Sequence, residues 1–208
     1  MSHFFSSLVR FSSAALVGLA LLGSAVAQEP HTVRIRGTIE KVEGNVLTIR
    51  SREGEDKVVT LTEKPIVTGI AKMALSDVKP GSYIGVSGMP QENGSQKALA
   101  IHIFPEAQRG AGEGFRPWDL KPNSTMTNAA VADKVSGTSG DTITVKYKDG
   151  EKTVEVAPDT PIVTFVPGDL AELKPGAKVI VFGATKKADG SLETGRIGVG
   201  REGITPPM

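Results

Sequence analysis

The chain has 208 residues, no cysteine, one tryptophan, and 24 basic against 23 acidic side chains. The absence of cysteine excludes disulfides, thiolate catalysis and a lipid-modified cysteine anchor. The even charge balance argues against a dedicated nucleic-acid binder, whose affinity for phosphate rests on excess Lys and Arg.

Residues 1–27 read as a signal peptide: Arg10 supplies the positive charge, residues 14–22 an apolar run, and Ala25, Val26 and Ala27 a small-residue cleavage site. Cleavage after Ala27 would start the mature chain at Gln28 and place it in the periplasm or outside the cell. The apolar run is shorter than the roughly 20 residues that span a bilayer, and no second run follows, so no membrane insertion is expected after cleavage. Removing Arg10 from the 24 basic residues leaves 23, equal to the 23 acidic ones, so the mature charge is zero.

Residues 28–104 form a first unit. Val33, Ile35, Gly37 and Ile39 alternate with Arg34, Arg36, Thr38 and Glu40, the two-residue period of a half-buried strand. A turn at Glu43, Gly44 and Asn45 leads to a second strand with Leu47 and Ile49, and Gly54 separates it from a third over residues 57–61. Residues 74–78 have room for one helical turn. Lys79, Pro80 and Gly81 then suit a type II turn, because proline fixes φ and glycine accepts a positive one. Strands over 83–88 and 98–104 complete the unit. Residues 105–128 fit neither strand nor helix and hold the lone Trp118 with Arg109, Phe115 and Arg116.

Residues 129–203 repeat the order, followed by a tail at 204–208. Ile143, Thr144 and Val145 stand 96 positions after Leu47, Thr48 and Ile49, and Pro161, Ile162, Val163 and Thr164 stand 96 after Pro65, Ile66, Val67 and Thr68. Lys174, Pro175 and Gly176 follow Lys79, Pro80 and Gly81 at 95, a slip of one loop residue. The correspondence signals a duplication. Three strands, a helical turn and two strands match a five-stranded Greek-key barrel of the OB type, with its helix between strands three and four. An immunoglobulin-like sandwich needs about seven strands. The fold expected is all-β: two tandem OB-like five-stranded barrels, each with a short helical turn between its third and fourth strands.

Gly37, Thr38, Ile39, Lys41 and Val42, then Leu75, Asp77, Val78, Lys79, Pro80, Gly81, Val86 and Gly88, and finally Gly94, Ala98 and Ile101 resemble exported bacterial small-barrel modules classed as a domain of unknown function. Leu170, Leu173, Lys174, Pro175, Gly176, Val181, Gly183, Asp189, Gly190 and Ile197 carry the same pattern in the second unit. The resemblance implies a scaffold; that family has no established catalytic residues to carry over.

Candidate chemistry is sparse. The mature chain has two histidines, His31 in the N-terminal lead and His102, whose place between Ile101 and Ile103 points it away from the core towards solvent. The acids sit at hairpin ends beside glycine, as turn chemistry requires, and form no acid/base pair. Soft-metal carriers of similar layout cluster sulfur and imidazole ligands, whereas Met73, Met89 and Met126 are dispersed. No catalytic, cofactor-binding or metal-ligating residues are therefore assigned.

Two surfaces remain as candidate binding sites. Arg34, Arg36, Arg50 and Arg52 share the outward face of the first hairpin, with Lys146 and Lys148 on the related face of the second unit, and OB barrels bind polymers near there; the bland alternative is a solvated charged face. Gly110, Gly112 and Gly114 superficially suggest a phosphate loop, but no strand-to-helix unit follows. Arg109, Phe115, Arg116 and Trp118 are interface-type anchors, either an internal clasp between the barrels or an exposed recognition loop. The leading expectation is a non-catalytic periplasmic binding or scaffolding protein without a cofactor, its partner an envelope protein or an anionic glycan. An enzyme or enzyme accessory acting on anionic envelope polysaccharide is the alternative, and a copper carrier a third.

Overall fold

The structure, a computed structural model, describes residues 32–137 and 140–207; the leader, its cleavage site, His31 and Met208 lie outside the described residues. Described are twelve strands: β1 (Thr32–Glu43), β2 (Val46–Ser51), β3 (Asp56–Lys72), β4 (Tyr83–Pro90), β5 (Gln96–Ile103), β6 (Gly114–Pro117), β7 (Thr125–Gly137), β8 (Gly140–Tyr147), β9 (Gly150–Val156), β10 (Ile162–Pro167), β11 (Lys178–Lys186) and β12 (Leu192–Gly200). The fold is all-β. Between β3 and β4, and again between β10 and β11, the chain makes a single 3-10 turn of three residues, Leu75–Asp77 and Leu170–Glu172. Each is followed by the Lys-Pro-Gly turn, with φ of 85° at Gly81 and 87° at Gly176.

The pairings close β1, β2, β3, β12 and β11 into a five-stranded barrel. β1 pairs antiparallel with β2 and β11, β2 with β3, and β11 with β12, while β12 runs parallel to β3 from Leu192↔Val59 to Gly200↔Ile70. Alternate residues fill it: Ile35, Ile39, Leu47, Ile49, Val59, Leu61, Val179, Val181, Ile197 and Val199 are all buried. A second cycle of pairings has the same order, β7, β8, β9, β5 and β4, closed by the short parallel contact of Gln96 with Val154 and Lys97 with Glu155. Its core contains Ile84, Val86, Ile101, Val131, Ile143, Val145 and Val154.

One barrel per unit was expected, but the pairings cross the boundary between the units. The first ring takes β1–β3 from the first unit and β11–β12 from the second; the second ring takes β7–β9 from the second unit and β4–β5 from the first. The physical cause lies in β3, a 17-residue strand that does not turn back at the rim of its ring. Pro65, which has no N–H for a ladder, sits where the register against β12 shifts between Thr194 and Arg196, so the strand passes it unbroken. The segment beyond pairs with β10, from Thr68↔Pro167 to Lys72↔Val163, and delivers the chain to the other ring. In the second unit Pro158 and Pro161 end β9 and leave β10 as a separate strand.

Residues 105–128, expected to be irregular, contain β6, which pairs with the start of β7 from Gly114↔Asn128 to Pro117↔Thr125. Phe115 and Arg116 thus belong to a strand, and β7 begins inside the expected connector. The pairing escaped the sequence reading because β6 is four residues long and has no alternation of its own to display.

Candidate functional site

The two rings meet through a third apolar cluster of Ile70, Ala100, Met126, Val163 and Ile180, against which Trp118, Phe165, Phe182 and Ile204 pack. β5 runs along this seam. Its alternation puts Ile101 inside the second ring and His102 outside, as parity requires. That outer face is covered by Phe165 of β10 and by Phe104, with Ile180 and Phe182 of the first ring lining the same cavity, so His102 is only 2% exposed rather than solvated. Its ring centroid lies 3.7 Å from that of Phe165 and 4.2 Å from that of Phe104. Burial pushes its pKa down to about 3, so the imidazole is neutral at ordinary pH. Its Nε2 has no hydrogen-bond partner.

β7 adds Met126 and Asn128 to the same space. The Asn128 amide Nδ2 donates to the Ala111 carbonyl at 2.9 Å, which settles the orientation of the amide and leaves Oδ1 buried without a partner. Gly85 on β4 keeps the space open: a Cβ there would stand 2.9 Å from Asn128 Oδ1 and 3.1 Å from the Phe104 ring.

The segment after β6 supplies the other wall. Trp118 is held by its backbone N–H donating to the Ser124 carbonyl at 2.8 Å and by the Ser124 hydroxyl donating to its backbone carbonyl at 3.1 Å, bonds that leave the indole N–H free. The Arg34 guanidinium lies 4.1 Å from the Trp118 ring centroid and that of Arg116 5.5 Å, both within cation–π range. Asp119 binds Arg34 at 2.8 Å and Arg36 at 2.7 Å. Burial alone would raise the Asp119 pKa, but the hydrogen bond and charge of Arg36 and the charge of Arg34 outweigh it and hold the carboxyl below its ordinary value. The Arg116 Nη1 donates to the Gly112 carbonyl at 2.7 Å, and among the described residues no carboxylate pairs with it. Trp118 Nε1 is buried and unpartnered.

These groups line one cavity of about 120 Å³. Among the described residues three buried side-chain polar atoms lack a partner, His102 Nε2, Trp118 Nε1 and Asn128 Oδ1, and all three belong to residues lining it. The cavity therefore offers a fixed donor, a fixed acceptor and an imidazole nitrogen, with aromatic walls and two guanidinium groups.

Of the residues singled out in the sequence, Arg34, Arg116 and Trp118 come together here, with Arg36 joined through Asp119. The others lie elsewhere and have partners. Arg50 contacts Asp56 at 3.1 Å and donates to the Gly54 carbonyl at 2.7 Å. Arg52 donates to the Pro206 carbonyl at 2.6 Å, and Arg109 to the Gly81 carbonyl at 2.8 Å while pairing with Glu106. Phe115 is 44% exposed beneath Lys152, whose Nζ stands 4.8 Å from its ring centroid. Sequence reasoning placed His102 on the surface and passed over Gly85, Phe104, Asn128, Phe165 and Phe182. A signal was present: Ile180 stands where the first unit has Gly85, Gly198 where it has His102, and Gly69 where the second has Phe165.

Among the described residues no group of three or more His, Cys, Asp or Glu is placed to hold a metal ion, and no helix is long and apolar enough to cross a membrane. Residues 36–102 match the model of a family described as a domain of unknown function, DUF5666. The match runs from β1 to the end of β5, so the matched unit contributes strands to both rings. No curated protein and no solved structure matches the chain.

Proposed function

We propose that this is a non-catalytic binding protein, exported to the periplasm, whose ligand sits in the cavity between two OB-type barrels built by a duplicated unit. The cyclic strand order, with one parallel closure per ring, supports the OB-type reading, and the 96-residue correspondence supports the duplication. The reading of function rests on one observation: the three unpartnered buried polar atoms of His102, Trp118 and Asn128 converge on one cavity. An unsatisfied buried group costs about 1–3 kcal/mol. Three scattered orphans would be unrelated packing faults; three on one cavity are a set of contacts for a guest. The clasp and recognition readings of the connector merge here, since Trp118 packs on the seam and also walls the cavity. The arginines of the first hairpin have carboxylate or carbonyl partners, which gives a polysaccharide role no support.

Trp118 is the only tryptophan, so its emission reports on the cavity directly. Screening small metabolites, peptides, glycans and metal ions by this emission and by thermal shift should give ligands that change both. Turnover of a substrate, abolished by one substitution, would falsify the non-catalytic reading.

A further inference from the structure

We infer that the ligand is a small organic carboxylate with a single-ring apolar body and a hydroxyl or amine hydrogen-bond donor. This rests on the cavity being the binding site. Size comes first. A volume of about 120 Å³ equals the share of about four water molecules and lies well below the roughly 300–1,000 Å³ of most ligand pockets. One ring with one or two substituents fills it; a nucleotide, peptide or sugar chain does not enter.

Charge decides next. Asp119 pairs with Arg34 and is shared with Arg36, whereas among the described residues Arg116 has the Gly112 carbonyl and the Trp118 ring but no carboxylate. The wall therefore keeps an excess positive charge, and the buried Trp118 N–H adds a donor beside it. Together they select an anion and reject a cation. Asn128 Oδ1, its amide orientation fixed by the bond to Ala111, accepts only and so asks the guest for an O–H or N–H. Phe165 and Met126 leave the middle of the space apolar. A soft metal ion is the competing guest, because His102 Nε2 and the Met126 thioether share the cavity. It would leave Trp118 N–H unpaired and face the uncompensated Arg116.

The test is titration of the full chain with benzoate, 4-hydroxybenzoate, benzyl alcohol, benzylamine and copper(I), followed by Trp118 emission and calorimetry. 4-Hydroxybenzoate should bind at least tenfold more tightly than benzyl alcohol, and benzylamine should not bind. Arg116→Gln, which keeps an N–H for Gly112, should weaken both carboxylates at least tenfold and leave benzyl alcohol unchanged. Equal binding of benzoate and benzyl alcohol, or an indifferent Arg116→Gln, overturns the carboxylate assignment while the cavity reading stands. One equivalent of copper(I) quenching Trp118 overturns it in favour of the metal. If no probe alters emission or produces heat, the carboxylate assignment and the cavity reading fall together.

Discussion

His102 shows how one residue can be read correctly for direction and wrongly for environment. Alternation along β5 fixes which side of the strand it takes, but only the position of the other ring decides what lies on that side. Position 198, its counterpart in the second unit, is glycine, and a Cβ there would stand 2.9 Å from Ile180 and 3.1 Å from the Phe182 ring. The seam thus admits a side chain from one unit and excludes it from the other. Burial also makes His102 a source of acid sensitivity. In the unfolded chain its pKa is near the usual value of about 6.5, while in the fold it is lowered to about 3. Below pH 6.5 the unfolded state binds a proton that the folded state refuses, so acid favours unfolding; the contribution is complete above 6.5 and lost as pH falls. Between pH 6.5 and 5 the loss is about 1.5 kcal/mol, in a window above most carboxylate titrations. The guanidinium groups of Arg34 and Arg116 line the same cavity. Urea unfolding of a His31→Ala background should show this slope, and adding His102→Leu should flatten it.

At the scale of elements, strands with their own alternation were legible and the segment around β6 was not. Ile35, Ile39, Leu47 and Ile49 announce β1 and β2 because they keep the two-residue parity of a strand, and all four are buried. β6 becomes a strand only because β7 offers it an edge, and that pairing leaves no periodic mark in four residues. The two aromatic residues of this segment consequently differ in energetic weight, which composition cannot reveal. Trp118 packs on the seam between Arg34 and Arg116, while Phe115 lies outside under a lysine. Trp118→Ala should cost about 2–3 kcal/mol, below the roughly 3–5 kcal/mol of fully buried large aromatic deletions because the ring is only partly buried. Phe115→Ala should cost about 0.5 kcal/mol, as substitutions at exposed positions do. Chemical denaturation of the two variants tests the contrast. Equal losses would mean that the segment acts as a uniform cover rather than through one anchored side chain.

At the scale of the molecule, the strands that enter each ring of pairings were legible but not which unit supplies each strand. A unit closing on itself and two units exchanging β4–β5 for β11–β12 use the same strands, turns and alternation, so no local pattern separates them. The long β3 and the seam do. If each unit closed on itself, its ring contacts would be kept, but β3 would have to end where it now continues to β10. In the exchanged form the chain also buries Ile70, Ala100, Val163 and Ile180 between the rings. Covalent linkage makes that association intramolecular, at an effective concentration that short linkers set in the millimolar range. A fragment of residues 28–104 has the first unit without this linkage. Its β1–β3 would leave Ile39, Leu47 and Ile49 uncovered unless another β4–β5 closes the ring, and the uninterrupted β3 carries its own β4–β5 away. Two fragments should therefore exchange strands and form a closed dimer. Light scattering after size-exclusion chromatography should give twice the fragment mass, and dilution should lower its thermal midpoint as dissociation couples to unfolding. A folded monomer whose melting is independent of concentration would show that the unit closes on itself and that the exchange in the intact chain is imposed by the covalent connection alone.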